Sequence, residues 1–178
     1  MAKERNTFIE EKLLQMKIFT NIAKILFLRA IKIHLIAGIN SNCTKMTKKQ
    51  SRAQVVLEFP INASPSLIYN YIQSASGLQE WFAHKVVNKS RIDYVFVYDD
   101  GQEAKATLDK SINNKLCRFH FEHTPEDEYI EMEIIVDELT EDVAIKVTEF
   151  CNDTESEKRE IGELWHTQIQ TLKDIIGA

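Results

Sequence analysis

The chain has 178 residues, of which 44% are hydrophobic and 28% charged, with five Gly and three Pro. These proportions exclude a disordered, collagen-like or low-complexity chain and supply one domain-sized core with an extension. The net charge of −5 and pI near 5.6 provide no electrostatic footprint for nucleic acid, and the three cysteines, Cys43, Cys117 and Cys151, are too few and too scattered for a disulfide framework or a thiolate zinc site.

The charge is divided unevenly. Residues 1–50 hold ten Lys or Arg against three Glu, a balance of +7, and the remainder holds 12 basic against 24 acidic residues, a balance of −12. The stretch from Ile18 to Ile36 is apolar but broken by Lys24, Arg29, Lys32 and His34, and one central charge costs about 2.5–3.5 kcal/mol on insertion scales, so a spanning helix is not expected. On a helical projection Lys17, Asn21, Lys24 and Lys32 form a narrow polar stripe, which makes contact of residues 17–36 with an anionic membrane surface a minor expectation. No small-x-small cleavage site follows closely, so the segment is a poor secretory signal. Residues 1–45 are read as a basic, apolar extension, non-native or mobile, with the domain running over 46–178 from a start at Met46. The cysteine usage favours a reducing, cytoplasmic setting.

From residue 53 the pattern changes to strands. Val55, Leu57 and Phe59 alternate with polar or smaller residues and Pro60 closes the run. Ser64-Pro65 places a cap before a proline at the first helical position, and Leu67, Ile68, Tyr71 and Ile72 predict a short helix over 65–73. Ser76-Gly77-Leu78-Gln79-Glu80-Trp81-Phe82 predicts a second, leading into a strand through Val86 and Val87. Ile92, Tyr94, Phe96 and Tyr98 share one face of the next strand, and Asp99-Asp100-Gly101 suits a tight hairpin. Further strands are expected through Ala104, Ala106 and Leu108, through Cys117, Phe119 and Phe121, through Ile130, Met132, Ile134 and Val136, and through Val143, Ile145 and Val147. Turns fall at Asn113-Asn114, at Thr124-Pro125-Glu126-Asp127 and at Thr140-Glu141-Asp142.

The last element has the strongest helical periodicity. Ile161, Leu164, Trp165, Ile169, Leu172, Ile175 and Ile176 form an apolar stripe interrupted by Gln168, with Asp153 or Thr154 as cap, Glu155 and Glu157 in the first turn and Gly177 as stop. The order is one strand, two short helices, about six antiparallel strands and one long helix. The fold class is α+β.

This order, together with Ser-Gly-Leu-Gln-Glu-Trp-Phe at 76–82 and Glu-Leu-Trp-His-Thr-Gln-Ile-Gln-Thr-Leu-Lys at 163–173, resembles the bacterial START-like branch of the helix-grip (SRPBCC) superfamily over about residues 50–178. That superfamily includes START lipid-transfer domains, pollen-allergen-like proteins, polyketide cyclases and relatives of the heat-shock-chaperone ATPase activator. The resemblance implies a curved antiparallel sheet of about seven strands gripping the terminal helix across its concave face around an apolar cavity. Its branches range from carriers to enzymes, so the fold does not name an activity.

A cavity of this kind measures about 300–1,000 Å³ when it takes a ligand. Trp81, Phe82, Tyr94, Phe96, Phe119, Phe121, Trp165 and Ile169 are the candidate lining groups, and the plainer reading is that they simply close the core. His84 and His166, each near a tryptophan in the chain, are candidates to orient a polar ligand head, with Tyr94 and Tyr98. His120 and His123 look metal-like on a line, but strand parity sends them to opposite faces, so no metal or other cofactor is assigned. Cys117 reads as a small buried residue rather than a nucleophile, and Glu126-Asp127-Glu128, Glu131 and Glu133 as a solvated face. No residue is assigned as catalytic. The function expected is noncatalytic binding of a small hydrophobic or amphipathic ligand between sheet and terminal helix; the alternatives are a cyclase- or hydrolase-like enzyme using the same cavity and a chaperone-related protein-interaction module.

Overall fold

The computed structural model describes residues 51–98 and 101–178. The basic extension, its stripe over 17–36, and Asp99 and Asp100 of the expected hairpin lie outside the described residues.

Alternation along each strand builds one antiparallel sheet. Its strands are β1 (Arg52–Pro60), β2 (Lys85–Asn88), β3 (Asp93–Val97), β4 (Glu103–Ile112), β5 (Leu116–Phe121), β6 (Ile130–Val136) and β7 (Val143–Asn152). They stand in the order β1-β7-β6-β5-β4-β3-β2, so every pairing is a hairpin except β1 with β7, which brings the first and last strands together. The architecture is the expected α+β helix-grip arrangement, with seven strands, two short helices and a long terminal helix. A register shift between Leu108 and Lys110 inserts a bulge in β4, a device that bends and twists a sheet.

Because side chains alternate, the register assigns the inward face. Val55 pairs with Glu149, Met132 with Val147, Cys117 with Met132, Leu108 with Phe119, and Phe96 with Ala104. These residues point to the face that the helices cover. Ile92, expected on this face, is half exposed and precedes β3, which starts at Asp93. The Gly101 backbone, at φ 80°, takes a left-handed conformation suited to glycine, and its N–H donates to the Tyr98 carbonyl at 2.9 Å.

Three helices cover the inward face. Helix α1 (Pro65–Gln73) starts at Ser64, whose hydroxyl accepts from the Leu67 N–H, with proline in the first turn. It runs directly into α2 (Ala75–Trp81) through Ser74, whose Oγ accepts from Gly77 N–H at 3.0 Å and donates to the Asn70 carbonyl at 2.6 Å. Gly77 is required by this close approach: a Cβ there would meet the Asn70 carbonyl oxygen at 2.5 Å and the Tyr71 Cα at 2.6 Å. The terminal helix α3 (Glu155–Ile176) is capped by Thr154 and ends on Gly177 at φ 73°. It buries Ile161, Leu164, Trp165, Gln168, Ile169 and Leu172, whereas Ile175, expected in the stripe, is exposed in the last turn.

The acidic face is less solvated than expected. Glu128 is buried, with both carboxylate oxygens accepting from the Arg52 guanidinium at the start of β1. That partnership holds Arg52 above its ordinary pKa despite the opposing effect of burial. Glu131 accepts from Arg118 at 2.7 Å, and Arg118 lies 4.0 Å over the Tyr129 ring. Glu133 pairs with Lys146. Cations from other parts of the sheet, on the neighbouring strand for Glu131 and Glu133 and on β1 for Glu128, account for the difference and are invisible from the local order of the acids.

Candidate functional site

Eight of the nine candidate ligand-binding residues come together between the sheet and α3. Trp81, Phe82, Tyr94, Phe96, Phe119, Phe121, Trp165 and Ile169 are all buried and belong to one apolar cluster. Ring centroids stand 6.4 Å apart for Trp81 and Trp165, 5.9 Å for Phe82 and Trp165, and 5.5 Å for Phe82 and Phe96. Tyr94 meets Phe119 edge to face at 5.2 Å, and Phe96 meets Phe121 at 5.5 Å. These are the offset and edge geometries that aromatic quadrupoles favour. Helix α2 brings Trp81 in, the inward parity of β3 and β5 brings Tyr94, Phe96, Phe119 and Phe121, and α3 brings Trp165 and Ile169.

His84, the ninth, is exposed in the bend between α2 and β2. Phe82 already caps α2, so the chain turns outward before His84, and closeness in sequence to Trp81 does not carry the imidazole inside. His166 is also exposed, on the flank of α3, with its ring 6.3 Å from Phe59. His120 Nδ1 lies 3.0 Å from the Glu128 carbonyl oxygen, and the His123 ring lies 5.9 Å from that of Phe121. Among the described residues no group of three His, Cys, Asp or Glu converges to hold a metal ion. Cys117 is fully buried, and burial pushes its thiol up to about 12, so it is protonated at neutral pH and no thiolate nucleophile.

The polar tips of three aromatic residues are anchored. Trp81 Nε1–H donates to the Tyr71 carbonyl at 3.1 Å, and Tyr94 O–H donates to the Gln73 carbonyl at 2.8 Å. Burial raises the Tyr94 pKa, so the hydroxyl keeps its proton for that bond. Trp165 Nε1–H donates instead to a side chain, Glu149 Oε2, at 2.6 Å.

Glu149 and Gln168 are the groups that sequence reasoning did not place in the site. Glu149 is 6% exposed and projects from β7 on the inward face, between Val147 and Cys151. Its parity with Ile145 and Val147 was the available signal. Gln168, 3% exposed, lies one helical turn beyond Trp165, and neither its amide nitrogen nor its amide oxygen has a hydrogen-bond partner among the described residues. Burying an amide unpaired costs about 1–3 kcal/mol, so this side chain opposes folding where it stands. The break that it makes in the apolar stripe was its signal.

The chain matches the family model of the START-like superfamily domain over residues 46–178, and it belongs to that superfamily. Solved structures with the same fold include a Bacteroides fragilis protein, 25% identical, with 71% of this chain and 92% of that one covered and a TM-score of 0.52. The Aha1 dimer from Colwellia psychrerythraea is 19% identical over 68% of this chain and 94% of that one, with a TM-score of 0.57. A Mesorhizobium loti protein is 13% identical over 70% and 97%, with a TM-score of 0.56. No curated protein matches the chain.

Proposed function

We propose that the interior between the sheet and α3 binds a small hydrophobic or amphipathic molecule without transforming it. The observation that carries this reading is the pairing of an aromatic cluster with one buried amide, Gln168, that has no hydrogen-bond partner among the described residues. Ligand sites of this chemistry combine a mostly apolar lining with a few polar groups that fix orientation. Membership of a superfamily that commonly binds hydrophobic ligands supports it. Trp81, Phe82, Phe96, Phe119, Phe121, Trp165 and Ile169 would supply apolar contact, with Tyr94 held in place by its bond to Gln73. The match over 46–178 supports a domain boundary at residue 46. Cys117, buried and outside any disulfide, fits a reducing, cytoplasmic setting. Among the described residues no helix is long and apolar enough to cross a membrane.

A cyclase- or hydrolase-like activity is the second reading, favoured by the buried Glu149 carboxylate held by Trp165. A positioned carboxylate of this kind can serve as a general base once a substrate proton is within reach.

Native mass spectrometry of the gently purified protein, followed by solvent extraction, tests the proposal together with a Nile red titration. A retained small molecule, or saturable dye binding displaced by decanol, is expected. Absence of both would remove the binding reading, and recovery of a chemically altered ligand would replace it with the enzymatic one.

A further inference from the structure

We infer that the first two turns of α1 are the gate through which a ligand reaches the interior, and that the hydrogen bond between Tyr69 and Ser111 is its latch. This rests on the ligand-binding reading and adds the route of entry to the same site. Trp81, Phe82, Tyr94, Phe96, Phe119, Phe121, Trp165 and Ile169 are each at most 6% exposed, so a molecule reaches them only when a covering element moves. The strands are joined to one another in one sheet, and the cover is made of helices. Those helices are held unequally. Helix α3 buries six side chains along its length, and α2 buries Gly77, Leu78 and Trp81 within seven residues. Helix α1 buries Ile68 and Ile72 among nine and leaves Leu67 exposed. Its last turn is fastened, because the Tyr71 and Gln73 carbonyls accept from Trp81 and Tyr94 and Gly77 packs against Asn70. Its first two turns meet the core through Ile68 and Tyr69. Segments with few buried apolar contacts open at the lowest free energy. Helix α1 is therefore hinged at its C-terminal end and opens at the other.

The opening half is held by one exposed bond. The Tyr69 hydroxyl lies 2.7 Å from Ser111 Oγ on β4. Ser111 faces the helix because of the bulge. Ala104, Ala106 and Leu108 alternate on the inward face, and an unbroken strand would continue that face through Lys110 and Ile112. The register shift between Leu108 and Lys110 turns Ser111 inward instead, opposite Cys117 on β5. Both hydroxyls also act on the Cys117 thiol, opposing the rise that burial causes. Water replaces either partner of an exposed hydrogen bond, so the net hold is weak and the latch opens readily. Lifting Ile68 and Tyr69 uncovers Cys117, whose inward neighbour along β5 is Phe119 of the proposed site.

Stopped-flow mixing of the full chain with Nile red tests the gate. Tyr69→Phe and Ser111→Ala each remove one hydroxyl of the latch, and either should raise the association and dissociation rates together by about threefold, with Kd changed by less than about twofold. The double variant should be no faster than the single ones, because both act on one bond. Ser111→Ala carries the measurement alone should Tyr69→Phe misfold. Ser90→Ala removes an exposed hydroxyl bonded to Asp93 at 2.6 Å, away from α1, and should leave both rates unchanged. Amide hydrogen exchange should quicken in the first two turns of α1 in the latch variants and hold its rate in α3. Dye binding with unchanged rates in the latch variants, unchanged exchange in α1, or equal acceleration by Ser90→Ala overturns the gate and leaves the binding reading standing. Failure of the parent chain to bind the dye overturns both.

Discussion

The two tryptophans lie 6.4 Å apart in one interior, yet they are held differently. Trp81 gives its indole N–H to the backbone carbonyl of Tyr71, one helix away, in a region where Ser74 bridges two helices and Gly77 allows them to touch. Trp165 gives its N–H to a buried carboxylate, and one turn further along its helix stands an amide with no partner among the described residues. Around Trp81 the polar tips of the core aromatics are satisfied by local backbone. Around Trp165 the fold tolerates polar groups that it does not need. Sequences break their own packing rules chiefly where function demands it, so Trp81 marks the more rigidly packed side of the proposed site and Trp165 its polar side.

Truncating each indole gives the largest test of that contrast. Trp81→Ala should lower stability by about 3–5 kcal/mol in urea unfolding, the loss expected of a tightly packed core aromatic. Trp165→Ala should lose less and should also change the affinity for Nile red. Lys173→Ala, in the last turn of α3, is the control and should change neither. Equal losses with no change in dye binding would erase the distinction between the two regions.

A smaller effect isolates the indole N–H. Trp165→Phe keeps most of the ring but deprives Glu149 of a donor inside the core, and a loss of about 1–3 kcal/mol is expected. Glu149→Gln in the same background should recover part of it, because a neutral amide is less costly to leave short of a partner. Trp81→Phe strands only a backbone carbonyl and should show no rescue from Glu149→Gln. A double-mutant cycle with no coupling between positions 149 and 165 would contradict the hydrogen bond as the source of the effect.

The contrast also separates what was legible in the sequence from what was not. Strand alternation placed Tyr94, Phe96, Phe119 and Phe121 on one face, and helical spacing placed Trp165 and Ile169 opposite them, because periodicity and parity are local properties. The caps Ser64 and Thr154 and the stop at Gly177 were legible for the same reason. Glu149 was not, since a carboxylate on a strand is ordinarily read as facing water, and its buried partner, the Trp165 N–H, is 16 residues away. Glu128 was misread as solvated because its partner, Arg52, is 76 residues distant. His84 was chosen for its nearness to Trp81 along the chain, and the end of α2 carried it outward. Polar groups in this site depend on long-range partners.

The smallest effect lies on the more rigidly packed side, at Ser74. Its hydroxyl accepts from the Gly77 N–H at the start of α2 and donates to the Asn70 carbonyl at the end of α1, so one side chain serves both helix ends. Ser74→Ala should cost about 1 kcal/mol, the usual loss for an N-cap. Trp81 and Tyr94 bond to the carbonyls of Tyr71 and Gln73 in the last turn of α1, so loosening that turn should be felt at both rings. Trp165 takes its bond from β7 and should not feel it directly. The two positions can therefore be read separately by placing Ser74→Ala in Trp165→Phe and Trp81→Phe backgrounds and following the remaining indole by fluorescence. A shift in the Trp81 signal with an unmoved Trp165 signal is expected, and an equal shift of both would mean that the two sides of the proposed site move as one unit.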